Sequence, residues 1–383
     1  MDNKKLTFHV LGLPHTITNK DFVACAYTQK VWKFCKMMGK RGHTLYHYGH
    51  KKSNPPYAEN VTVITDEIWN KVYGSHDYKS KLFTYNIQDE AYQTFYKNAI
   101  KEIYKRKKEN DFILPFWGSG VKPICDAHSD LITVEPGIGY ARGYWARWKI
   151  FESYAIYHAY CGLKSVERCK QDNYEIVIPN YFDLDDFEFN DKKDDYFLIL
   201  GRVFDGKGVN IAIQVTEYLG YKLKIAGQID DKGPYKSKQF PSHVEFVGYA
   251  DAEQRKELMK YAKGSFIPSQ YVEPFGGVQI ENLLCGTPTI TSDWGAFTEN
   301  NIDGVTGYRC RTFDDYLKAA VSINEGEIDY RTCREYGEKF SLESIAPKYE
   351  KFFQDVLNVY TKNGWYQTDI LKAKVNKKLK SRS

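Results

Sequence analysis

The sequence predicts an α/β protein of two doubly wound domains that face each other across a cleft. Short apolar strands alternate with amphipathic helices in both halves of the chain, which is typical of parallel sheets covered on both faces. The alternation stops at Ile178-Pro179-Asn180 and an acidic stretch, 183–195, and then begins again. The 383 residues are enough for two cores of ordinary size. We therefore predict a first domain at 1–182, a second at 183–360, and a tail at 361–383 that packs back on the first.

Each element follows from a run of apolar residues and from the residues that end it. In the first half these are a strand at 6–11, a helix at 22–41, strands at 44–48 and 61–65, a helix at 91–107, a strand at 111–117, a helix at 120–128, a strand at 131–135, an aromatic-rich helix at 143–160 and a strand at 174–178. In the second half they are a strand at 196–200, a helix at 209–219, strands at 222–226 and 244–247, a helix at 252–261, a strand at 264–268, a helix at 276–284, strands at 287–291 and 307–310, and a helix at 342–360.

Composition favours a soluble globular protein, with 42% hydrophobic residues, 27% charged residues and a net charge of +5. The charges are interspersed and form no basic stripe, so nucleic acid is not an expected partner. No apolar run reaches the ~18 residues of a membrane helix, and we expect a cytoplasmic protein. The eight cysteines are scattered without a Cys-x-x-Cys, which fits small buried side chains rather than disulfides or a zinc site.

The lysine-rich end of the chain, 372–383, leaves two interpretations open. It is either a solvated tail or a peripheral contact with anionic lipid, which one short basic run supports only weakly.

The most informative segment is Glu273-Pro-Phe-Gly-Gly-Val-Gln-Ile-Glu281, in which two carboxylates lie eight positions apart. Pro274 excludes a helix interior at that point, and the Gly276-Gly277 pair lets backbone approach a ligand closely. We therefore predict a loop that becomes a helix near Gly276. The N-terminus of such a helix suits a phosphate, and Glu281 lies roughly 7 Å further along the axis. The two carboxylates can then meet opposite ends of an extended anionic ligand.

A second candidate is the loop that follows the strand at 196–200. Ligands of open α/β sheets lie beyond the carboxyl ends of strands, and this loop offers Gly201, Arg202 and Lys207 there. Arg202 can bind phosphate through two N–H groups, and Lys207 is a mobile point charge. The order of residues is not that of a P-loop, and no Gly-x-Gly-x-x-Gly follows a strand. A solvated turn with two cations is the alternative interpretation.

Together these segments resemble the retaining glycosyltransferases of family 4, which have the GT-B fold of two Rossmann-like domains. The motifs that carry the resemblance run in order through the second half of the chain. They are Val177-Ile178-Pro179-Asn180 with Asp183 and Phe187, Gly201-Arg202 with Lys207-Gly208, Lys224-Ile225-Ala226-Gly227, Phe246-Val247-Gly248, Pro268-Ser269, Glu273–Glu281, Gly286-Thr287-Pro288, Gly295, Glu299, Gly304 and Gly307-Tyr308.

The resemblance implies a role for each matching residue. Arg202, Lys207 and Glu273 are the implied catalytic group, in which the two cations neutralise the donor pyrophosphate and Glu273 holds hydroxyls of the donor sugar. Glu281 would hold the ribose hydroxyls. The other implied donor-binding residues are Gly12, His15, Gly201, Gly248, Tyr249, Phe275, Gly276, Gly277 and Val278. A diphosphate leaving group needs positive charge and oriented dipoles, so carboxylates belong on the hydroxyl-rich parts of the donor.

Two other kinds of site are not predicted. Asp183-Leu184-Asp185 has the Asp-x-Asp form of a metal-binding motif, but it lies in the interdomain linker, and we predict neither a metal nor a cofactor. Glycoside hydrolases use two carboxylates that flank the scissile bond. The placement of Glu273 on a loop and of Glu281 on a helix argues against that arrangement.

The first half matches the family poorly, as expected for the side that binds the acceptor. The family often has Gly-Gly in the turn after strand one, where this chain has Gly12 and His15. Many members carry a His near the end of a later strand, where this chain has Glu135. Glu135 either replaces that His or caps a turn, and Tyr140 is a second acceptor-side candidate. The aromatic residues near 140–148 form either a sugar platform or part of the core.

The predicted function is that of a glycosyltransferase which moves a hexose from a UDP- or GDP-linked sugar to an acceptor, with retention of configuration. The acceptor is open among glycans, lipid-linked molecules and proteins, and the sequence does not define the oligomeric state. Two alternatives use the same fold. One is a non-catalytic protein that binds nucleotide sugars, and the other is a sugar-nucleotide epimerase.

Overall fold

The structure is a computed structural model that describes residues 5–23, 25–74, 85–140, 142–164, 175–229, 233–235 and 239–361. These residues form two separate parallel sheets, one in each half of the chain. The first sheet consists of β1 (Thr7–Leu11), β2 (Thr44–His50), β3 (Glu59–Ile64), β4 (Phe112–Pro115), β5 (Ile132–Ile138), β6 (Trp148–Phe151) and β7 (Glu175–Val177). The second consists of β8 (Phe197–Leu200), β9 (Leu223–Ala226), β10 (Val244–Gly248), β11 (Gly264–Ile267), β12 (Thr289–Ser292) and β13 (Gly307–Cys310).

Helices connect the strands and cover the sheets. They are α1 (Ala26–Lys40), α2 (Asp66–Tyr73), α3 (Glu90–Arg106), α4 (Lys122–Asp126), α5 (Tyr154–Lys164), α6 (Val209–Leu219), α7 (Ala252–Tyr261), α8 (Gly277–Leu284), α9 (Phe297–Asn300), α10 (Phe313–Asn324), α11 (Tyr330–Glu338) and α12 (Leu342–Thr361). The βα alternation predicted from the sequence is confirmed, and α6 and α7 have the predicted bounds.

Strand order reverses once in each sheet, and this fixes where a ligand can lie. The orders are β3-β2-β1-β4-β5-β6-β7 and β10-β9-β8-β11-β12-β13. The chain therefore leaves β1 and β4, or β8 and β11, in opposite directions across the sheet. A crevice opens between the two connections at the carboxyl ends of the strands, which is the usual ligand site of such sheets. The loops after β1, β4 and β8 lie at these crevices.

The predicted helix at 143–160 is wrong in its first half. Residues 148–151 form the buried strand β6, which pairs in parallel with β5 and β7, and α5 begins only at Tyr154. A strand buried on both faces is a continuous apolar run without alternation, so its sequence does not differ from that of a buried helix. The sequence analysis also missed α2, α9, α10 and α11.

The last helix joins the core of the first domain. Apolar residues of α12, including Tyr349 and Phe353, pack with Phe8 of β1 and Phe34 of α1. We predicted this helix as the end of the second domain, whereas its apolar face is buried in the first. The domain bounds 1–182 and 183–360 stay a prediction. The predicted packing of the tail falls almost wholly outside the described residues, which end at 361.

The two crossings between the domains lie side by side. The N–H of Phe182 donates to the carbonyl of Phe340 at 2.9 Å, and the N–H of Leu342 donates to the carbonyl of Phe182 at 2.9 Å. Next to this pair, Lys36 of α1 binds the carboxylates of Asp183 and Asp185. The Asp-x-Asp of the linker therefore serves as the partner of a lysine in this structure.

None of the helices in the described part of the chain has the length and apolar character of a membrane span.

A buried histidine supports the turn after β1. His47 of β2 has Nδ1 2.8 Å from Asn60 Oδ1 and Nε2 3.1 Å from Thr18 Oγ1. A Cβ at Gly12 would lie 2.9 Å from Nε2 of this ring, and a Cβ at Gly49 would lie 2.4 Å from its Cε1. Both glycines leave room for the imidazole, and burial lowers the pKa of His47 to about 4.

This histidine predicts a loss of stability in mild acid. Its pKa is 6.5 when unperturbed and about 4 in the folded chain, so between these values the unfolded state binds the extra proton. Stability is therefore complete above the higher value and falls as the pH drops, by about 2 kcal/mol between pH 7 and pH 5. We expect His47→Gln to reduce the drop in melting temperature over that range. His158→Gln, the same exchange at an exposed position, is the control; equal drops in both variants would contradict the assignment.

Candidate active site at the interdomain cleft

Three glycines define the backbone at the strand ends near Arg202 and Lys207. Gly201 follows β8 and has a φ of 142°, and Gly227 follows β9 with a φ of 149°. A Cβ at Gly227 would lie 1.7 Å from the carbonyl oxygen of Gly201, so only glycine fits there. The N–H of Gly227 donates to the carbonyl of Gly248 at 2.7 Å, which ties the end of β10 and the half-buried Tyr249 to the same place.

Lys207 and Glu273 form an ion pair between the loops that follow β8 and β11. Lys207 Nζ donates to Glu273 Oε2 at 2.9 Å, and the buried Ser269 hydroxyl donates to the same oxygen at 3.0 Å. The ammonium also lies 5.0 Å from the centre of the Tyr271 ring. Burial acts to lower the pKa of Lys207, but Glu273 and Tyr271 outweigh it, so the pKa is raised. Lys207 therefore carries its charge throughout the neutral range.

The N-terminus of α8 opens beside this pair. Gly276 is the N-cap with a φ of 79°, and no side chain caps the helix. A Cβ at Gly276 would lie 2.5 Å from the Phe297 ring, and the carbonyl of the buried Phe275 accepts from Asn300 Nδ2 at 2.8 Å. Phe297 and Asn300 thus fix the loop. The first N–H groups of the helix, at Gly277 and Val278, are available to a ligand.

Glu281 lies on α8 and is paired with a cation from the neighbouring helix. Arg255 of α7 donates from its Nη2 to Glu281 Oε2 at 2.6 Å. Because both ends of the predicted Glu-x7-Glu segment have basic partners, neither carboxylate places an uncompensated negative charge beside the helix N-terminus. The sequence analysis found Glu281 but not Arg255, since the contact depends on how α7 packs on α8.

The donor-side loop also contacts the first domain directly. The Ser153 hydroxyl donates to the carbonyl of Pro274 at 2.5 Å. Glu299 accepts from the N–H of Tyr154 at 2.9 Å and from the N–H of Ala155 at 2.8 Å. The carboxylate of one domain therefore caps the helix α5 of the other. A serine at the N-cap position, Ser153, could have indicated where this helix begins. The sequence analysis did not recognise it, because it began the helix at 143.

On the first domain, the predicted donor residues of the turn after β1 lie in different surroundings. Gly12 packs against His47, and its N–H donates to the carbonyl of Tyr48 at 2.9 Å. His15 is buried, and its Nδ1 lies 3.0 Å from the hydroxyl of Tyr92. Their contact with a donor stays a prediction.

Glu135 is fully buried and organises a loop. Its Oε1 accepts from the Tyr140 hydroxyl at 3.0 Å, and its Oε2 accepts from the N–H of Trp145 at 2.8 Å and that of Ala146 at 2.7 Å. Burial raises the pKa of Glu135, and these donors oppose the rise. Of the two interpretations of Glu135, the geometry favours the cap of a turn. The aromatic residues at 144–148 belong to the packing, with Trp148 buried and Tyr144 4.4 Å from Tyr160.

The charge of Arg202 acts on Tyr27 of the first domain. Arg202 is exposed on the loop after β8, and its guanidinium lies 5.6 Å from the Phe204 ring. Tyr27 belongs to the first turn of α1 in the other domain. Burial raises the pKa of the Tyr27 hydroxyl, and the positive charge of Arg202 opposes that rise. An electrostatic effect of the second domain therefore extends to a side chain of the first.

Comparison with known proteins agrees with this geometry. Residues 182–340 match the family model of the group 1 glycosyl transferases. These residues form a group 1 glycosyltransferase domain. The chain is 35% identical over 127 residues to glycogen synthase of Mycobacterium tuberculosis, a match that covers 30% of each protein. It is 32% identical over 184 residues to an uncharacterized glycosyltransferase of Methanocaldococcus jannaschii, covering 43% of this chain and 44% of that protein. The matches thus span less than half of these curated relatives.

Solved structures extend the likeness to both domains. Sucrose-phosphate synthase from Thermosynechococcus elongatus superimposes with a TM-score of 0.69 at 15% identity, covering 92% of this chain and 100% of the other. AviGT4, a glycosyltransferase involved in avilamycin A biosynthesis, gives 0.66 at 16% identity, covering 92% and 98%. The predicted GT-B fold is confirmed, and the match of residues 182–340 agrees with the predicted resemblance to glycosyltransferases. Membership of family 4 and retention stay predictions.

The group 1 glycosyltransferase domain brings the predicted catalytic and donor-binding residues of 201–281 to one edge of its sheet. Arg202 and Lys207 follow β8, Glu273 follows β11, and Glu281 lies on the helix after it. The described residues bring no three His, Cys, Asp or Glu side chains together as a metal site. Partners that the sequence analysis missed are Ser269, Tyr271, Arg255 and Ser153.

The cap on α5 predicts a local effect of one carboxylate. In Glu299→Ala the N–H groups of Tyr154 and Ala155 lose their acceptor, and a lost N-cap destabilises a helix by about 1 kcal/mol. We expect hydrogen exchange at the start of α5 to become at least about fivefold faster, because 1.4 kcal/mol corresponds to tenfold. Glu335→Ala, at an exposed position of α11, is the control. Unchanged exchange in Glu299→Ala would show that the contact does not persist in solution.

Proposed function

We propose that this chain is a glycosyltransferase which moves a hexose from a nucleoside diphosphate sugar to an acceptor, with retention of configuration. The observation that carries the proposal is the convergence of Lys207 and Glu273 at the uncapped N-terminus of α8. A cation and free backbone N–H groups suit a diphosphate, and a carboxylate between them suits the hydroxyls of the attached sugar. The group 1 family match and the GT-B fold support this assignment.

The proposed reaction develops negative charge on the departing diphosphate. The bond between the anomeric carbon and the diphosphate oxygen breaks, and a bond from the acceptor oxygen to that carbon forms. The acceptor proton passes to the departing phosphate. Lys207 keeps its charge in the neutral range, and Arg202 supplies a second cation that can bind two oxygens at once. Positive charge already in position at the leaving group lowers the barrier. Retention rests on the resemblance to family 4.

The opposite end of the donor would lie at Glu281. Ribose offers two neighbouring hydroxyls, and a carboxylate fixed by Arg255 can accept from both. The base would then lie near Gly248 and Tyr249, at the end of β10. Among the solved GT-B relatives, HepE of Anabaena contains UDP-glucose, and the pneumococcal O-GlcNAc transferase GtfA contains UDP and GlcNAc. A UDP-linked sugar is therefore our first choice of donor, with GDP-linked sugars as the alternative.

Two rival functions are separable by simple reactions. A non-catalytic binder would hold the donor and release no product with any acceptor. An epimerase would convert the donor without an acceptor, which NMR of the donor alone detects. The cations of the cleft favour catalysis over binding alone, because Arg202 and Lys207 can stabilise a departing diphosphate.

The two cations predict a specific loss of turnover. We expect Arg202→Ala and Lys207→Ala each to lower turnover by at least ~100-fold, the scale for one lost donor to a developing anion. Donor hydrolysis or transfer from UDP-hexose provides the assay. Lys222→Ala, at an exposed position of the same domain, should keep normal turnover. Near-normal rates in both cleft variants would exclude the proposed site.

The proposed contact of Glu281 with ribose predicts that removing this carboxylate abolishes discrimination between UDP and 2′-deoxy-UDP. UDP at 100 times its Kd should stabilise the chain by about 2.7 kcal/mol and raise the melting temperature by several degrees. We expect 2′-deoxy-UDP to bind the native chain at least about tenfold more weakly, since one hydrogen bond to a charged group contributes about 1.5–3 kcal/mol. In Glu281→Ala the two nucleotides should bind equally. Undiminished discrimination in that variant would remove Glu281 from the ribose site.

A further inference from the structure

A set of aromatic side chains forms a cluster of contacting rings on the first domain. Tyr85 is 47% exposed and stacks on the His15 ring, with centroids 5.2 Å apart and an interplanar angle of 11°. Trp117 meets Tyr85 edge-on at 4.9 Å and Tyr27 at 5.2 Å. We call Tyr27, Tyr85 and Trp117 the aromatic platform. Tyr27 and Trp117 are half-buried, so each ring keeps part of its surface open.

Buried groups hold the platform in place from behind. Tyr92 is fully buried, and its hydroxyl lies 3.0 Å from Nδ1 of His15, the ring on which Tyr85 stacks. Gly120 supplies the space for the indole, because a Cβ there would lie 2.2 Å from Trp117 Cδ1. A buried hydroxyl and a residue without a side chain thus fix the orientation of the exposed rings. Rings fixed before binding lose little entropy when a ligand stacks on them.

The platform lies at the carboxyl ends of neighbouring strands and faces the donor side. His15 follows β1 and Trp117 follows β4, and these two strands are adjacent at the reversal point of the first sheet. Tyr27 is within reach of the charge of Arg202, which belongs to the other domain. A molecule that stacks on the platform therefore lies at the ligand crevice of the first sheet and within the electrostatic reach of Arg202, the residue we assign to the leaving group.

We infer that the aromatic platform is the acceptor subsite and that the acceptor is a carbohydrate, bound through the C–H face of a pyranose ring. This inference rests on the proposed function. The C–H groups of a pyranose carry partial positive charge and meet the negative face of an aromatic ring, while the sugar hydroxyls at the rim meet phenol and imidazole groups. The platform consists of two phenols and one indole, which are uncharged at neutral pH, and this matches a neutral sugar. An alkyl chain offers no hydrogen-bond partner to the phenol hydroxyls.

Nearby charged groups are already engaged elsewhere. Lys30 of α1 lies 4.7 Å from the centre of the Tyr27 ring, but its ammonium is paired with Glu152 and donates to the carbonyl of Gly137 at 3.2 Å. Glu135, which binds the Tyr140 hydroxyl next to Tyr27, also accepts two backbone N–H groups. An acceptor that needed a counter-charge would have to displace one of these pairs or compete with the donor diphosphate for Arg202, whereas a neutral sugar does neither.

The test is saturation-transfer NMR on the whole chain with UDP present. The probes are methyl β-D-glucopyranoside, methyl α-D-mannopyranoside and maltose. We expect at least one of them to receive saturation, mainly at the protons of one ring face. Tyr85→Ala and Trp117→Ala should each weaken its binding about tenfold, the upper range for an aromatic contact. Gly120→Ala should act in the same direction because it displaces the indole. Tyr85→Phe, which keeps the ring and loses only the hydroxyl, should weaken binding less than Tyr85→Ala does.

The control is Tyr104→Ala, which removes an exposed ring from α3. UDP must still raise the melting temperature in every variant. If UDP binds but none of the three sugars does, or if a sugar binds equally well to Tyr85→Ala and Trp117→Ala, the carbohydrate subsite is wrong while the donor site stands. If neither UDP nor GDP binds the native chain, the proposed function itself fails. Saturation of a lipid or peptide probe in place of the sugars would also overturn the inference.

Discussion

Parallel pairing is the constraint on which this molecule depends. Strands that all run the same way must end at one edge, and in each sheet the order reverses where β1 meets β4 and where β8 meets β11. At those points the connections diverge and leave backbone and side chains open to a ligand. Arg202, Lys207 and Glu273 come from loops on either side of one reversal point. His15 and Trp117 come from loops on either side of the other.

Charge in the cleft is arranged in pairs. Lys207 with Glu273 and Arg255 with Glu281 place each carboxylate next to a cation at hydrogen-bond distance. A carboxylate alone near the N-terminus of α8 would compete with a phosphate for its N–H groups. Pairing lets the site contain acidic groups for sugar hydroxyls and still attract an anion. The raised pKa of Lys207 is the electrostatic consequence of this arrangement.

The sequence predicted more of the second domain than of the first. Motifs such as Gly201-Arg202 and Glu273–Glu281 define local backbone, so their positions follow from the order of residues alone. Partners such as Arg255 and Ser269 did not follow, because the packing of one element on another decides them. The aromatic platform was missed for the same reason, since Tyr27, Tyr85 and Trp117 come from three distant segments. The strand at 148–151 was predicted as part of a helix, because a strand buried on both faces lacks the alternation of apolar and polar residues.

The contact between domains links the donor loop to the acceptor side. Pro274 follows the proposed sugar ligand Glu273 directly, and its carbonyl is held by Ser153 at the start of α5. The same helix start is capped by Glu299. Glu299 lies shortly after Ala296, whose N–H donates to the carbonyl of Glu273 at 3.0 Å. A shift of one domain against the other would therefore break the contact between Ser153 and Pro274 and the cap on α5 at once. Three hydrogen bonds thus tie the proposed donor loop to the helix start of the first domain. Because two of them share one carboxylate, they hold the two sides of the cleft in one relative position.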